Sequence, residues 1–215
     1  MEITGYRDKH EYTNKNGVTS VVYLMDCMEL LKQIPDKYFE LAVVDPPYGI
    51  GISSNPVRQQ HAKKDWDNNI PNAEYFCNLF SATTNQIIWG GNYFGLPPTR
   101  GFIIWDKVQP ERFSLAMCEY AYSSIQSPAK IWKKSVLAEQ DKIHPTQKPQ
   151  QLYEWIFKNY ANPNDKILDT HLGSGSSRIA ADKANLPFTG CELDSDYFYA
   201  SVKRFKEYAA QQTMF

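Results

Sequence analysis

The sequence has few of the residues that build metal sites or disulfide frameworks. Its 215 residues include four cysteines, Cys27, Cys77, Cys118 and Cys191, which lie far apart with no C-x-x-C pair. Zinc and iron–sulfur sites need closely spaced ligands, and disulfide scaffolds need a denser set of cysteines. We therefore expect neither a bound metal nor structural disulfides.

The sequence also lacks export signals, membrane signals and a large net charge. No segment has the form of a signal peptide and no apolar run is long enough to span a bilayer, so we expect a cytoplasmic protein. The formal net charge is −1. A nucleic-acid partner would therefore have to be bound by a local basic face. The length and the 42% hydrophobic content fit one domain over residues 1–215.

The phosphate-binding motifs of nucleotide enzymes are absent as well. There is no Gly-Lys-Ser/Thr loop and no G-x-G-x-x-G spacing. Strand patterns instead alternate with helix patterns, which predicts an α/β fold with a largely parallel sheet. The predicted strands are 18–25, 39–44, 86–89, 101–105, 120–124, 129–132, 166–169 and 188–191, and the predicted helices are 27–33, 72–83, 150–160, 176–184 and 194 onwards. Strands 120–124 and 129–132 alternate in the manner of an antiparallel pair.

One tetrapeptide, Asp45-Pro46-Pro47-Tyr48, directly follows the apolar run at residues 41–44. It is therefore expected at the carboxyl edge of a buried strand, where open α/β sheets bind their ligands. Two prolines stiffen the turn and donate no hydrogen bond, so carbonyl oxygens and one carboxylate are left as acceptors. Acceptors beside a tyrosine ring are suited to holding an amino group on a planar heterocycle.

A second motif, at residues 169–177, has the sequence Asp-Thr-His-Leu-Gly-Ser-Gly-Ser-Ser and connects a predicted strand to a predicted helix. Gly173 and Gly175 allow a close backbone approach to a ligand, and the helix N-terminus offers free N–H groups. Glu192 follows the next strand at the spacing from which an acidic residue meets ribose hydroxyls. Because the loop has no lysine, an adenosine without phosphates is favoured over a triphosphate, and S-adenosylmethionine is the obvious candidate.

The third motif is His144-Pro145-Thr146-Gln147-Lys148-Pro149, which precedes a predicted helix. Its prolines and Thr146 would suit a helix start. Alternatively, the Thr146 hydroxyl and nearby main-chain groups hold the amino-acid tail of the cofactor. Beside the other two motifs we favour this second interpretation.

Together these motifs resemble the DNA amino-methyltransferases of the β arrangement, in which the catalytic half precedes the cofactor half. Residues 25–31 and 87–94 are also similar to that family, and the resemblance spans about 22–197. It implies a Rossmann-like, class I S-adenosylmethionine-dependent methyltransferase with a circularly permuted, seven-stranded, mostly parallel sheet. It also implies a bacterial or phage origin and a role in restriction and modification.

The resemblance assigns cofactor-binding roles to residues of both halves. Asp26 would contact the adenine and Glu192 the ribose, although Asp26 is equally well explained as a helix cap. His171 stands where the family usually has an aromatic residue, and a neutral filler is the favoured explanation. The expected cofactor residues are Asp26, Cys27, Asp45, His144, Thr146, Lys148, Asp169, His171, Gly173, Ser174, Gly175, Ser176 and Glu192.

The resemblance also implies a reaction at an exocyclic amine of a flipped-out base. The Asp45 carboxylate and the Pro46 carbonyl would accept hydrogen bonds from the amine, and Tyr48 would stack on the ring. Aspartate at the first motif position favours adenine N6 over cytosine N4. Methylation at cytosine C5 is not expected, because no cysteine follows a proline. A methyltransferase-like module that binds DNA or cofactor without turnover is the alternative from another class.

Sequence recognition of double-stranded DNA would come from two polar segments, about 52–69 and 106–141. Little chain lies outside the core, so a short recognition site or a homodimer is expected. Taken individually, each basic residue is better explained as a solvated surface charge than as a DNA contact. The candidates for contacts to DNA are Arg58, Lys63, Lys64, Arg112, Lys130, Lys133 and Lys134.

Overall fold

The computed structural model describes residues 1–50, 70–111, 116–135, 143 and 147–212. Its strands are β1 (Asp8–Thr13), β2 (Thr19–Leu24), β3 (Phe39–Val44), β4 (Thr83–Trp89), β5 (Gly101–Asp106), β6 (Cys118–Ser123), β7 (Lys130–Lys133), β8 (Ile167–Asp169) and β9 (Phe188–Glu192). Its helices are α1 (Cys27–Leu31), α2 (Ala73–Ala82), α3 (Gln150–Tyr160), α4 (Ser176–Lys183) and α5 (Ser195–Gln212). Within these ranges no helix is both long and apolar enough to cross a membrane.

The described strands form one sheet in the order β1-β2-β9-β8-β3-β4-β6-β5-β7. Five of the eight pairings are parallel, which confirms the mostly parallel α/β prediction. The described part of the sheet has nine strands instead of the expected seven. The sequence analysis missed β1, which forms an antiparallel edge with β2 and buries none of its residues fully, so it carries no apolar run.

The predicted antiparallel pairing of strands 120–124 and 129–132 is wrong. β6 lies between β4 and β5 and is antiparallel to both, while β7 pairs in parallel with β5. The connection from β6 to β7 crosses the start of β5 at Gly101, where an added Cβ would lie 2.0 Å from the Ile125 carbonyl oxygen. The alternating pattern correctly predicted two strands. It did not predict which strands they pair with, because nothing local specifies the order of strands in a sheet.

An apolar layer covers each face of the sheet. Along β3, Leu41 and Val43 face one layer, and Ala42 and Val44 face the other. This explains why the run before the tetrapeptide is apolar throughout, as is usual for a parallel strand buried on both faces.

The strand directions bring distant residues to one edge of the sheet. β3, β4, β5, β8 and β9 all end at this edge, and the antiparallel β6 begins there. Chain segments that follow these strands therefore meet residues at the start of β6. The motif after β3 and the glycine-containing loop after β8 share this edge.

Candidate functional site

Asp45 lies directly after β3 with its carboxylate fixed at both oxygens. The Tyr48 hydroxyl donates a hydrogen bond to Oδ1 at 2.6 Å. The Lys148 ammonium lies 2.5 Å from Oδ2. Burial raises the pKa of Asp45, and the Lys148 charge opposes this rise. A carboxylate offers about four lone-pair positions, so both oxygens can accept further hydrogen bonds.

Lys148 contacts the tetrapeptide rather than the loop after β8. It lies just before α3, and its side chain is only 2% exposed. Besides Asp45, its ammonium pairs with Glu119 at 3.1 Å and donates to the Tyr48 hydroxyl at 3.2 Å. The structure therefore brings Lys148 to Asp45, whereas the sequence analysis had assigned it to the cofactor.

Two charged residues of this group were not found from the sequence. Glu119 stands at the start of β6, and Lys107 follows β5 and lies 2.6 Å from Glu119. Burial alone would raise the pKa of Glu119, but Lys148 and Lys107 outweigh it and lower the pKa to about 2. We call Asp45, Lys148, Glu119 and Lys107 the acceptor cluster.

An aromatic pair stands next to Asp45. The rings of Tyr48 and Tyr93 are stacked, with centroids 5.1 Å apart and planes at 17°. Tyr93 is 43% exposed. Gly90, at φ +69°, makes room for this pair, because an added Cβ would lie 2.2 Å from Cε1 of Tyr48. The segment 87–94 thus shapes the tyrosine side of the site.

Asp169 ends β8 and is buried at the start of the glycine loop, residues 170–175. Its Oδ1 accepts from the His171 backbone N–H at 3.0 Å, and its Oδ2 accepts from the Ser177 hydroxyl at 2.5 Å. Burial raises its pKa to about 7, against these hydrogen bonds. Its partners are thus neutral donors supplied by the loop and the first turn of α4.

Glu192 ends β9 and faces the same loop. Its Oε2 accepts from the Gly173 N–H at 2.8 Å and its Oε1 from the Asp194 N–H at 2.9 Å. Gly173 and Gly175 have φ values of +51° and +71°. These left-handed conformations favour glycine. The predicted close approach of a ligand to the pair stays a prediction.

The serines of the loop are held by the fold. Ser174 and Ser176 are buried, and their hydroxyls lie 3.1 Å apart. Arg204 of α5 donates to the Ser174 carbonyl and to the Ser176 hydroxyl, both at 2.9 Å. The Arg204 side chain thus ties the loop and the first turn of α4 to α5.

His171 is fixed by neighbours on both sides. Its Nδ1 is 2.9 Å from the Thr170 hydroxyl, which is 2.7 Å from the buried Tyr75 hydroxyl. Its Nε2 lies 3.9 Å from the Cys27 sulfur. Burial lowers the pKa of His171 to about 4 and raises that of Cys27 to about 12. Both groups are therefore neutral near pH 7, which agrees with the interpretation of His171 as a neutral filler.

Asp26 lies at the N-terminus of α1 and is exposed. Its Oδ1 accepts from the Met28 N–H at 2.7 Å, so the predicted helix cap is present. The contact to an adenine stays a prediction. Because Cys27 lies beside His171, α1 begins next to the glycine loop.

The predicted DNA contacts are distributed unevenly. Lys133 and Lys134 follow the end of β7 on the edge that carries Asp45. Lys130 stands at the opposite end of β7, where it donates to Asn159 of α3 at 2.8 Å, so we leave it out of the DNA-facing set. Arg58, Lys63, Lys64, Arg112, His144 and Thr146 lie outside the described residues.

Curated relatives match most of the chain. M.HinfI of Haemophilus influenzae, a type II methyltransferase, is 23% identical over 252 residues, covering 90% of this chain and 70% of the relative. YhdJ of Escherichia coli K12, a DNA adenine methyltransferase, is 21% identical over 249 residues, covering 87% of this chain and 84% of the relative.

Solved structures share the fold of this chain. The complex of M1.HpyAVI with S-adenosylmethionine has a TM-score of 0.60 at 21% identity, with 86% of this chain and 98% of that chain covered. The cytosine-N4-specific PvuII methyltransferase has a TM-score of 0.63 at 16% identity, with 94% and 90% covered.

A family model also matches the chain directly. The model, described as DNA methylase, matches residues 88–203. The matched segment is more than half of the chain and includes Glu119, Lys148, the glycine loop and Glu192. The protein belongs to the DNA methylase family.

Proposed function

We propose that this protein transfers a methyl group from S-adenosylmethionine to the N6 amine of an adenine flipped out of double-stranded DNA. The carrying observation is the Asp45 carboxylate at the end of β3, held by Tyr48 and Lys148 beside the stacked Tyr48–Tyr93 pair. A carboxylate next to an aromatic surface has the chemistry needed to orient an amino group on a flat ring.

The glycine loop and its two carboxylates fit the cofactor. Asp26 and Glu192 would hold the adenosine, and Asp169, Gly173 and Gly175 would line the methionine side. S-adenosylmethionine supplies a sulfonium methyl group, which is electrophilic without any metal. Within the described part of the chain, Asp169 and Glu192 accept hydrogen bonds from neutral donors, so a cationic ligand would be favoured there. M1.HpyAVI, a structural neighbour, was solved with this cofactor.

The protein groups contribute alignment and electrostatics. An exocyclic amine is a poor nucleophile because its lone pair is delocalised into the ring. Hydrogen bonds from the amine to Asp45 and to the Pro46 carbonyl favour a more tetrahedral nitrogen whose lone pair is directed at the methyl group. Tyr48 holds the ring by stacking. Asp45 accepts the proton that the nitrogen loses as the new bond forms, or passes it to water.

Adenine is favoured over cytosine by the aspartate at position 45, and YhdJ is a relative that acts on adenine. The second candidate is cytosine N4, because the PvuII enzyme, which shares the fold, is specific for that position. The type II methyltransferase M.HinfI supports a role in restriction and modification. Lys133 and Lys134 are proposed DNA contacts, together with Arg58, Lys63, Lys64 and Arg112.

The experiment that tests the proposal is nucleoside analysis of reacted DNA. Methyl-free DNA is incubated with the protein and S-adenosylmethionine, digested to nucleosides and examined by mass spectrometry. N6-methyldeoxyadenosine is expected. N4-methyldeoxycytidine would contradict the adenine assignment, and no methylated nucleoside would favour the non-catalytic module.

The matched control for that experiment is Asp45→Ala. Loss of the acceptor should reduce methylation by about 10²- to 10⁴-fold, the usual range for a general base. Cofactor binding, measured by calorimetry, should be retained because Lys148 keeps Glu119 as a counter-ion. Full activity of Asp45→Ala would remove Asp45 from the mechanism.

A further inference from the structure

The acceptor cluster is a row of alternating charges behind the tetrapeptide. Asp45 pairs with Lys148 at 2.5 Å, Lys148 with Glu119 at 3.1 Å, and Glu119 with Lys107 at 2.6 Å. The side chains of Lys148 and Lys107 are 2% and 10% exposed, and those of Asp45 and Glu119 are 19% and 22% exposed. Four charged groups are thus largely withdrawn from water in one continuous network.

Stability alone is a poor explanation for such a network. Removing ions from water is costly, and replacing buried ion pairs by apolar residues is often neutral or stabilising. The four residues also come from separate segments: the turn after β3, the segment before α3, the start of β6 and the segment after β5. The network therefore links the functional carboxylate to the antiparallel part of the sheet, which carries no cofactor motif.

The charges in the network shift the pKa of Asp45 in opposite directions. Burial raises the pKa of Asp45, the Lys148 ammonium lowers it, and the Glu119 carboxylate raises it. The other titratable groups that face Asp45 from the described elements are Tyr48 of its own turn, Asp169 of β8 and Tyr153 of α3. Lys148 carries the positive charge among these groups, and its ammonium pairs with both Asp45 and Glu119.

We propose that Glu119, supported by Lys107, is a positioning residue for methyl transfer, because it holds the Lys148 ammonium between two carboxylates. Lys148 then keeps Asp45 ionised without satisfying its charge completely. Asp45 remains a strong acceptor for the amine, and Lys148 fixes its orientation at Oδ2, while Tyr48 donates to Oδ1. This inference rests on the proposed function, but its first test needs no turnover.

The first test is a titration of Asp45 by carbon NMR, in the full-length protein labelled at the aspartate carboxyl carbons. In Glu119→Gln the carboxylate that shares Lys148 loses its charge, so the pKa of Asp45 should fall. In Lys107→Met a positive charge is lost from the network, so the pKa of Asp45 should rise. Glu119→Asp keeps the charge and should recover most of the wild-type value.

The second test is the pH dependence of kcat. Glu119→Gln should lower kcat by about threefold to tenfold, since a weaker base is a poorer acceptor, and should move the acidic limb to lower pH. The KM for S-adenosylmethionine should stay unchanged. Lys107→Met should move the acidic limb in the opposite direction. A merely structural role would lower activity without these opposite shifts.

The matched controls are Glu154→Gln and Lys183→Met, which break an ion pair of 2.8 Å at the helix surface. Neither should alter the titration of Asp45. An unchanged Asp45 pKa in both Glu119→Gln and Lys107→Met, or shifts in the same direction, would overturn the proposal. An inactive wild-type protein would instead contradict the proposed function, and the titration would still decide whether the network controls Asp45.

Discussion

Asp45 directly follows β3 and Glu192 ends β9 at the same edge of one sheet, yet their carboxylates are held in different ways. Asp45 is held by side chains, the Tyr48 hydroxyl and the Lys148 ammonium, and Lys148 comes from a distant part of the chain. Glu192 is held by the backbone N–H groups of Gly173 and Asp194. The acceptor side of the site is therefore assembled by topology, and the glycine-loop side by local backbone conformation.

The two sides also differ in how charge is compensated. In the acceptor cluster two lysines surround Glu119 and lower its pKa to about 2. Asp169 on the glycine-loop side has hydroxyl and N–H partners, and burial raises its pKa to about 7. Among the described residues, no lysine or arginine forms an ion pair with Asp169 or Glu192. A cationic methyl donor would supply the charge that the protein withholds there.

Among the substitutions that separate the two sides, Gly90→Ala should have the largest effect, and it should disturb the acceptor side alone. In Gly90→Ala the new Cβ would lie 2.2 Å from the Tyr48 ring, so the ring must move. Displacement of a substrate-positioning group by about 1 Å can cost about 10²-fold in rate, and we expect a loss of that size in kcat. Cofactor affinity, measured by calorimetry, should not change.

Gly95→Ala is the matched control for this prediction. An added Cβ at Gly95 meets nothing within 4 Å, so activity should stay close to wild type. Equal losses in the two variants, or loss of cofactor binding in Gly90→Ala, would contradict the separation of the two sides.

A smaller effect is expected from breaking the glycine-loop side. Glu192→Gln removes the charge that accepts from the Gly173 N–H and leaves one carbonyl oxygen for two backbone donors. Hydrogen bonds to charged groups contribute about 1.5–3 kcal/mol, so the Kd for S-adenosylmethionine should rise by about tenfold to a hundredfold. At saturating cofactor, kcat should be nearly retained. Glu207→Gln, at an exposed position of α5, is the control. A lower kcat of Glu192→Gln without weaker cofactor binding would contradict the assignment of Glu192 to the glycine-loop side.

The same contrast explains what the sequence predicts and what it does not. Apolar runs, prolines and glycines act on their immediate neighbours, so the strand before Asp45, the bounds of α3 and the left-handed glycines at 173 and 175 all follow from local patterns. Glu119 has no such pattern around it. It meets Lys148 only because β6 runs antiparallel between β4 and β5, and strand order is a property of the whole chain.

The β1 edge and the position of Lys130 were missed for a related reason. β1 is rich in charged and polar residues and buries none of them fully, so nothing local distinguishes it from a loop. Lys130 is close in sequence to Lys133 and Lys134. It nevertheless lies at the opposite end of β7, because an extended strand places its first and last residues far apart. Proximity in sequence is a good guide within the glycine loop and a poor one across a strand.

The smallest predicted effect concerns the pH dependence of stability on the glycine-loop side. Asp169 has a folded-state pKa raised from 3.8 to about 7, so its contribution to the free energy of unfolding falls as pH rises through that window. His171 has a pKa lowered from 6.5 to about 4, so its contribution rises with pH between those values. The shifts correspond to about 4 kcal/mol for Asp169 and about 3 kcal/mol for His171, and the two slopes oppose each other between about pH 4 and 6.5 in the wild type.

Single substitutions should reveal each contribution. Relative to wild type, the free energy of unfolding of Asp169→Asn should rise with pH between pH 4.5 and 7, because the falling Asp169 contribution is removed. Relative to wild type, that of His171→Phe should fall between pH 4.5 and 6.5, because the rising His171 contribution is removed. Urea unfolding at several pH values measures both slopes, and the differences cancel other groups such as His10. If the free energies of unfolding of all three proteins changed with pH in parallel, neither group would have a shifted pKa in the folded state. The glycine-loop side would then be open to water before the cofactor binds.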